Sequence, residues 1–166
     1  MKKTIVLLTF ITTINCMCYA QKYIGGGIAY GTQIESAGIG INGEYFVTDQ
    51  ISIAPSLIYF FPRTFIGDLK FKQTDLNINA NYYFETGSEF NIYALGGLNF
   101  AVVSVPFFNP FNGERSNNSS TEVGLNIGGG LNYKINDQLL PFVELKYNIS
   151  DFDQLILMGG VRFLLN

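Results

Sequence analysis

Six charged residues stand where chemistry is conceivable. Glu44, Glu122, Lys134, Glu144, Lys146 and Arg162 each lie on the small or polar side of a segment that alternates with apolar residues. Carboxylates facing a guanidinium or an ammonium can pair, fix a geometry or block a passage. Catalysis asks for more, above all a general base that titrates near neutral pH. The sequence contains no histidine, which removes both that base and the commonest nitrogen ligand for a metal. Its two cysteines, Cys16 and Cys18, fall in an N-terminal stretch expected to be cleaved, so no thiol is expected to serve as nucleophile, disulfide or metal ligand. No catalytic residue, metal or cofactor is therefore expected. The charges are instead read as an internal network of Glu44, Lys134, Glu144, Lys146 and Arg162. Counting back from residues 151–153 puts Glu144 nearly opposite Arg162. An unpaired charge in a confined interior costs several kcal/mol, which favours pairing. The alternative is a set of separate charges, each solvated by water.

A second group of residues could make contacts instead of reactions. Phe107, Phe108 and Phe111 crowd a segment bounded by Pro106 and Pro110, and the polar run 113–120 follows them. Aromatics in such a loop can bind an external ligand or surface, or fold over the mouth of the structure that carries them.

The elements that must position these residues are strands. Beyond Gln21 no helical period is sustained; apolar residues recur at every second position between clusters of Asp, Asn, Gly, Pro and Ser. The spacing predicts about eight antiparallel strands, at 22–31, 36–47, 51–61, 69–84, 90–105, 121–135, 139–150 and 154–165. Three connections, at 48–50, 85–89 and 136–138, are tight turns. The longest, at 62–68 and 106–120, lie on the opposite side. Gly25-Gly26-Gly27 and Gly128-Gly129-Gly130 sit inside strands and open no helix, so their G-x-G spacing is not a nucleotide-binding turn.

Alternation alone does not say which face is inside. Ile51, Ile53, Leu57, Tyr59 and Phe61 share one face of a strand, and Leu76, Ile78, Ala80, Tyr82 and Phe84 one face of the next. Opposite the latter stand Asp75, Asn77, Asn79 and Asn81. A water-facing surface would carry many more Lys, Glu, Asp and Arg, so the sparsely charged polar face suits a narrow lumen and the apolar face looks at lipid. Aromatic placement agrees. Tyr45, Phe84, Phe90, Tyr133 and Phe163 form a girdle at one end, and Tyr30, Tyr59, Phe61 and Tyr147 one at the other. The fold class expected is all-β, a transmembrane antiparallel up-and-down barrel.

Composition fits that reading, since 48% of the residues are apolar and only 14% charged, against roughly 25% charged in ordinary soluble domains. Lys2 and Lys3 precede an apolar run at 4–14, and Cys18-Tyr19-Ala20 offers small residues for a signal peptidase. The run is shorter than the roughly 20 residues of a spanning helix. Residues 1–20 are thus expected to be a signal peptide cleaved after Ala20, and residues 21–166 the barrel. Loss of both lysines leaves the product more acidic than the −3 of the whole chain, which argues against a nucleic-acid partner.

The segments 43–55 (GEYFVTDQISIAP), 131–141 (LNYKINDQLLP) and 160–163 (GVRF) resemble the small outer-membrane β-barrel superfamily, the porin or OmpA/OmpX-like barrels, and the likeness extends over the whole chain beyond the leader. The resemblance implies outer-membrane lipid as surroundings, insertion by the barrel-assembly machinery and a monomeric state. Phe163 is followed by Leu164-Leu165-Asn166, a departure from the final aromatic common in the family. The expected role is structural or adhesive, toward an external ligand or host surface. A narrow channel for small or hydrophobic solutes is the alternative, and a soluble periplasmic lipocalin-like carrier a third reading.

Overall fold

A computed structural model describes residues 21–64, 70–84, 89–108, 115–136, 138–151 and 153–165. The expected signal segment and Phe111 lie outside the described residues. Eight strands follow in order: β1 (Lys22–Gly31), β2 (Ser36–Phe46), β3 (Ile51–Thr64), β4 (Lys70–Phe84), β5 (Phe90–Phe108), β6 (Arg115–Tyr133), β7 (Leu139–Ile149) and β8 (Gln154–Leu165). Each pairs antiparallel with its sequence neighbours, and β8 returns to β1 from Lys22↔Leu165 to Gly31↔Ile156, so the sheet closes. Closure leaves no free edge within the barrel wall, where no water could satisfy one inside a bilayer.

Two turns on the side of the chain ends show how local chemistry sets the register. Thr48 Oγ1 accepts hydrogen bonds from the amides of Gln50 (3.3 Å) and Ile51 (3.0 Å). Asn136 Oδ1 accepts from the amides of Gln138 (2.9 Å) and Leu139 (2.8 Å). In each case a short side chain ties the backbone two and three residues on, which bends the chain back and starts the next strand. With register fixed there, period 2 assigns every side chain to lumen or lipid.

The lipid-facing set is the expected one. Ile41, Leu57, Leu76, Leu125, Ile127, Leu145 and Leu157 are all exposed at mid-strand. The girdles are present too: Phe90 and Tyr133 stack at 4.6 Å at one end, and Tyr59 meets Phe61 edge-on at 6.4 Å at the other. A soluble carrier would turn these side chains inward, so that third reading fails on the fold.

Three features differ from the sequence reading. β5 and β6 are 19 residues each and continue to the pair Phe108↔Arg115, so Phe107 and Phe108 belong to a strand and not to a loop. β6 also ends at Tyr133, before Lys134. Finally, the lumen is less polar than expected, because Ile58, Phe60, Phe142, Ile156 and Met158 point inward and pack together. They alternate correctly with outward neighbours such as Leu57 and Tyr59; strands apolar on both faces hide their inward half from a sequence pattern.

Candidate functional site

Inward side chains divide the lumen. On the side of β8, β1, β2 and β3 the apolar cluster around Ile58, Ile156 and Met158 fills the space. On the side of β4 to β7 an asparagine array does so. Asn77 Oδ1 accepts from Asn99 Nδ2 (2.9 Å) and Asn126 Nδ2 (2.8 Å), Asn126 also donates to Asn79 Oδ1 (2.9 Å), and Asn148 donates to Asn126 Oδ1 (3.2 Å). Asparagine suits this position: it offers donors and acceptors to satisfy its neighbours and brings no charge that needs a counterion.

The charged centre lies nearer the end that carries the chain termini. Glu44 on β2 is buried and fully engaged. Its Oε1 accepts from Ser52 Oγ (2.5 Å), Asn81 Nδ2 (2.9 Å) and Tyr83 Oη (2.6 Å), and its Oε2 accepts from Arg162 Nη1 (2.7 Å). Arg162 Nη2 comes within 3.7 Å of Glu144 Oε2, and Glu144 Oε1 accepts from Lys146 Nζ at 3.2 Å. The Arg162 guanidinium also lies 4.1 Å over the Phe142 ring. Tyr93 Oη donates to Glu144 Oε2 at 3.1 Å. The result is an alternating line, Glu44, Arg162, Glu144, Lys146, across three strands. At 2% to 5% exposure for the two carboxylates, each charge depends on its partner, because water cannot replace it.

Four of the five residues expected in a network are therefore together, and Lys134 is not. It is exposed just beyond the end of β6, where its backbone amide donates to Glu89 O at 2.9 Å. The register also differs: Glu144 pairs with Met158, and Arg162 with Leu140. The two charges meet because the long arginine side chain runs along the lumen, not because they face each other across the ladder. Glu122 is half-buried near the outer end of β6, opposite Ala101.

Sequence reasoning missed several members. Asp75, wholly buried, accepts from Gln73 Nε2 (2.8 Å) and, across the lumen, from Gln154 Nε2 (3.4 Å). Tyr83 and Tyr93 stack at 4.9 Å, and Phe46 adds a third ring at 5.1 Å from Tyr83. These rings form a floor below Glu44. The available signal was parity: Tyr83 continues the inward series Asp75, Asn77, Asn79, Asn81, whereas Tyr82 belongs to the lipid face. Tyr93 lies over Gly130, where a Cβ would run into its ring, so glycine is needed for the phenol to reach Glu144.

Outside, between Asn42↔Ser56 and Tyr45↔Ile53, the β2–β3 ladder skips rungs at Gly43 and Pro55. Proline has no amide to donate. The gap leaves a groove of about 240 Å³ among Ile24, Ile41, Leu57 and Leu76, all of them lipid-facing. Among the described residues no group of His, Cys, Asp and Glu is placed to hold a metal ion.

A family model described as "Outer membrane protein beta-barrel domain" matches residues 18–161. No curated protein matches the sequence. Among solved structures, Neisserial surface protein A is 20% identical with a TM-score of 0.63, over 88% of this chain and 96% of that one. Ail, the attachment invasion locus protein of Yersinia pestis, solved with the heparin analogue sucrose octasulfate, is 15% identical with a TM-score of 0.65, over 88% and 99%. OprG from Pseudomonas aeruginosa is 15% identical with a TM-score of 0.65, over 89% and 96%. At these identities the likeness is one of fold.

Proposed function

The chain belongs to the outer membrane protein beta-barrel domain family, and from that premise we propose that it is a monomeric barrel, plugged by its own side chains, that acts through its outer surface. Export under a signal peptide cleaved after Ala20 and insertion by the barrel-assembly machinery are part of this reading. So is the absence of catalysis, which the histidine-free sequence supports.

One observation carries the proposal. The β5–β6 hairpin is paired to Phe108↔Arg115, whereas β4 meets β5 only as far as Lys72↔Ser104 and β7 meets β6 only as far as Leu125↔Ile149. The hairpin therefore stands clear of its neighbours on the side opposite the termini, while the lumen beneath it is closed by the Glu44–Arg162–Glu144–Lys146 line and by the Ile58 and Tyr83 clusters. A closed interior and a projecting hairpin favour contact over transport. Phe107 and Phe108, near the end of β5, are the contact residues proposed, together with Phe111 in the sequence that joins β5 to β6. Ail was solved with a heparin analogue, which makes immobilised heparin a sensible first probe. Cells displaying the full-length protein should adhere to it or to host-cell surfaces, and a variant lacking residues 106–117 should lose that adhesion. Equal adhesion by the shortened, folded barrel would end this reading.

The narrow channel remains the second reading, favoured by the polar side chains that line the β4–β7 side from Gln73 to Asn132. It requires the charged line to open.

A further inference from the structure

The groove on the lipid face lies where its surroundings decide what fills it. Its floor is Gly43 beside Pro55, and its walls are Ile24, Ile41, Leu57 and Leu76. At about 240 Å³ it is larger than the voids that packed side chains leave empty. A Cβ added at Gly43 would find Pro55 Cγ at 3.6 Å and Tyr23 O at 3.7 Å, both ordinary contacts. No close backbone neighbour demands glycine here, and the effect of the missing side chain is to keep the notch open.

A cation stands directly below this notch. Lys22 precedes Ile24 by two residues on the same outward face of β1, about 7 Å away along the strand. It is exposed, its Nζ lies 5.8 Å from the centre of the Tyr45 ring, and none of the ion pairs among the described residues includes it. Tyr45 pairs with Lys22, just as Gly43 pairs with Ile24. Lysine and tyrosine are the residues that anchor a strand end at the membrane surface. From Lys22 to the far wall at Ile41, which pairs with Gly26, is four residues, about 14 Å along the strand. Half the apolar layer of a bilayer is about 15 Å, so cation and groove fall within one leaflet. The tight turns and the chain termini share this end, which makes it the periplasmic leaflet.

We propose that Lys22 and the groove form a seat for one anionic glycerophospholipid of the periplasmic leaflet. The lipid phosphate lies against the Lys22 ammonium, and one acyl chain lies in the notch over Gly43. Lipid tails are as apolar as leucine, so within the bilayer close packing and not escape from water decides which surface a chain prefers. A flexible, unbranched chain can enter a notch that the ridged side chains around it leave open. The headgroup sets the class of lipid, because a lone ammonium favours a net negative headgroup over a zwitterionic one. This seat goes beyond the function proposed above and depends only on the barrel lying in a bilayer, whatever the outer hairpin binds.

The test is native mass spectrometry of the refolded full-length barrel in nonionic detergent, titrated with phosphatidylglycerol and, separately, with phosphatidylcholine. The expected result is a one-to-one complex with phosphatidylglycerol that saturates at lower lipid concentration than the one with phosphatidylcholine. Lys22→Gln should weaken it about fivefold, the worth of one cation beside an anionic headgroup. Gly43→Val, which fills the notch from a position with room for a Cβ, should abolish saturation at one lipid, while Leu145→Ile on the lipid face of β7 should change nothing. Equal binding of the two lipids, binding that rises without saturating, or a one-to-one complex that survives either Lys22→Gln or Gly43→Val at full strength would overturn the proposal. Should Gly43→Val give no compact unboiled gel band, Gly43→Ala replaces it, and the comparison of the two lipids on the native barrel decides in any case.

Discussion

Glu44→Gln is the most informative single change, because it is isosteric and removes only a charge. The amide oxygen it introduces can keep the three donors Ser52, Asn81 and Tyr83. The amide nitrogen then points a donor at Arg162, which loses the 2.7 Å partner and retains only Glu144 at 3.7 Å. Breaking a buried pair from one side costs about 3–5 kcal/mol. The retained contact with Glu144 puts this variant at the lower end. Arg162→Met should cost more, since it leaves Glu44 with no cation and Glu144 with Lys146 alone. In Glu44→Gln, Arg162→Met no charge of that pair remains buried alone, so the double variant should be more stable than Arg162→Met. The assay is urea unfolding in lipid vesicles, read by the unboiled gel band and by tyrosine fluorescence, the chain having no tryptophan. At a slope near 2 kcal/mol per molar, a 3 kcal/mol loss lowers the midpoint by about 1.5 M. Single variants within about 0.5 kcal/mol of the native barrel, with an additive double, would refute the paired network and favour charges solvated one by one.

Other consequences follow from the same geometry. Gly130→Val should press on the Tyr93 ring and loosen its bond to Glu144, costing about 1–3 kcal/mol, with Gly130→Ala milder in the same gel-band melt. Leu145→Arg places a charge on the lipid face at a mid-strand position paired with Gly129 and Leu157; it should cost about 2–4 kcal/mol in folding into vesicles. Asn136→Ala removes two side-chain to backbone bonds from the β6–β7 turn, for a loss of about 1–2 kcal/mol measured in the same urea titration.

Strand order, lipid face and girdles were legible because each rests on period 2, and period 2 is written residue by residue. Pairs such as Ile78 against Asn77 leave no ambiguity once one face must meet lipid. The inward apolar cluster was not legible, since Ile58 and Phe60 lie between Leu57, Tyr59 and Phe61 and the run reads as uniformly apolar. The extension of β5 and β6 was hidden for the opposite reason: residues 115–120 are almost wholly polar and carry a loop's composition, yet they pair. Lys134 has the parity of an inward residue but follows the last rung of β6, and parity does not reveal where a strand stops. Glu144 and Arg162 were matched in sequence by the wrong register and meet in the structure through the reach of one side chain, a contact that depends on rotamer and not on spacing.

The central claim is that side chains close this barrel to ions, and planar-bilayer conductance tests it most directly. The refolded native protein, accepted only with a compact unboiled gel band, should give a quiet baseline, and Arg162→Met in the same bilayer should give current steps. Stable steps from the native protein, unchanged by that substitution, would contradict the account.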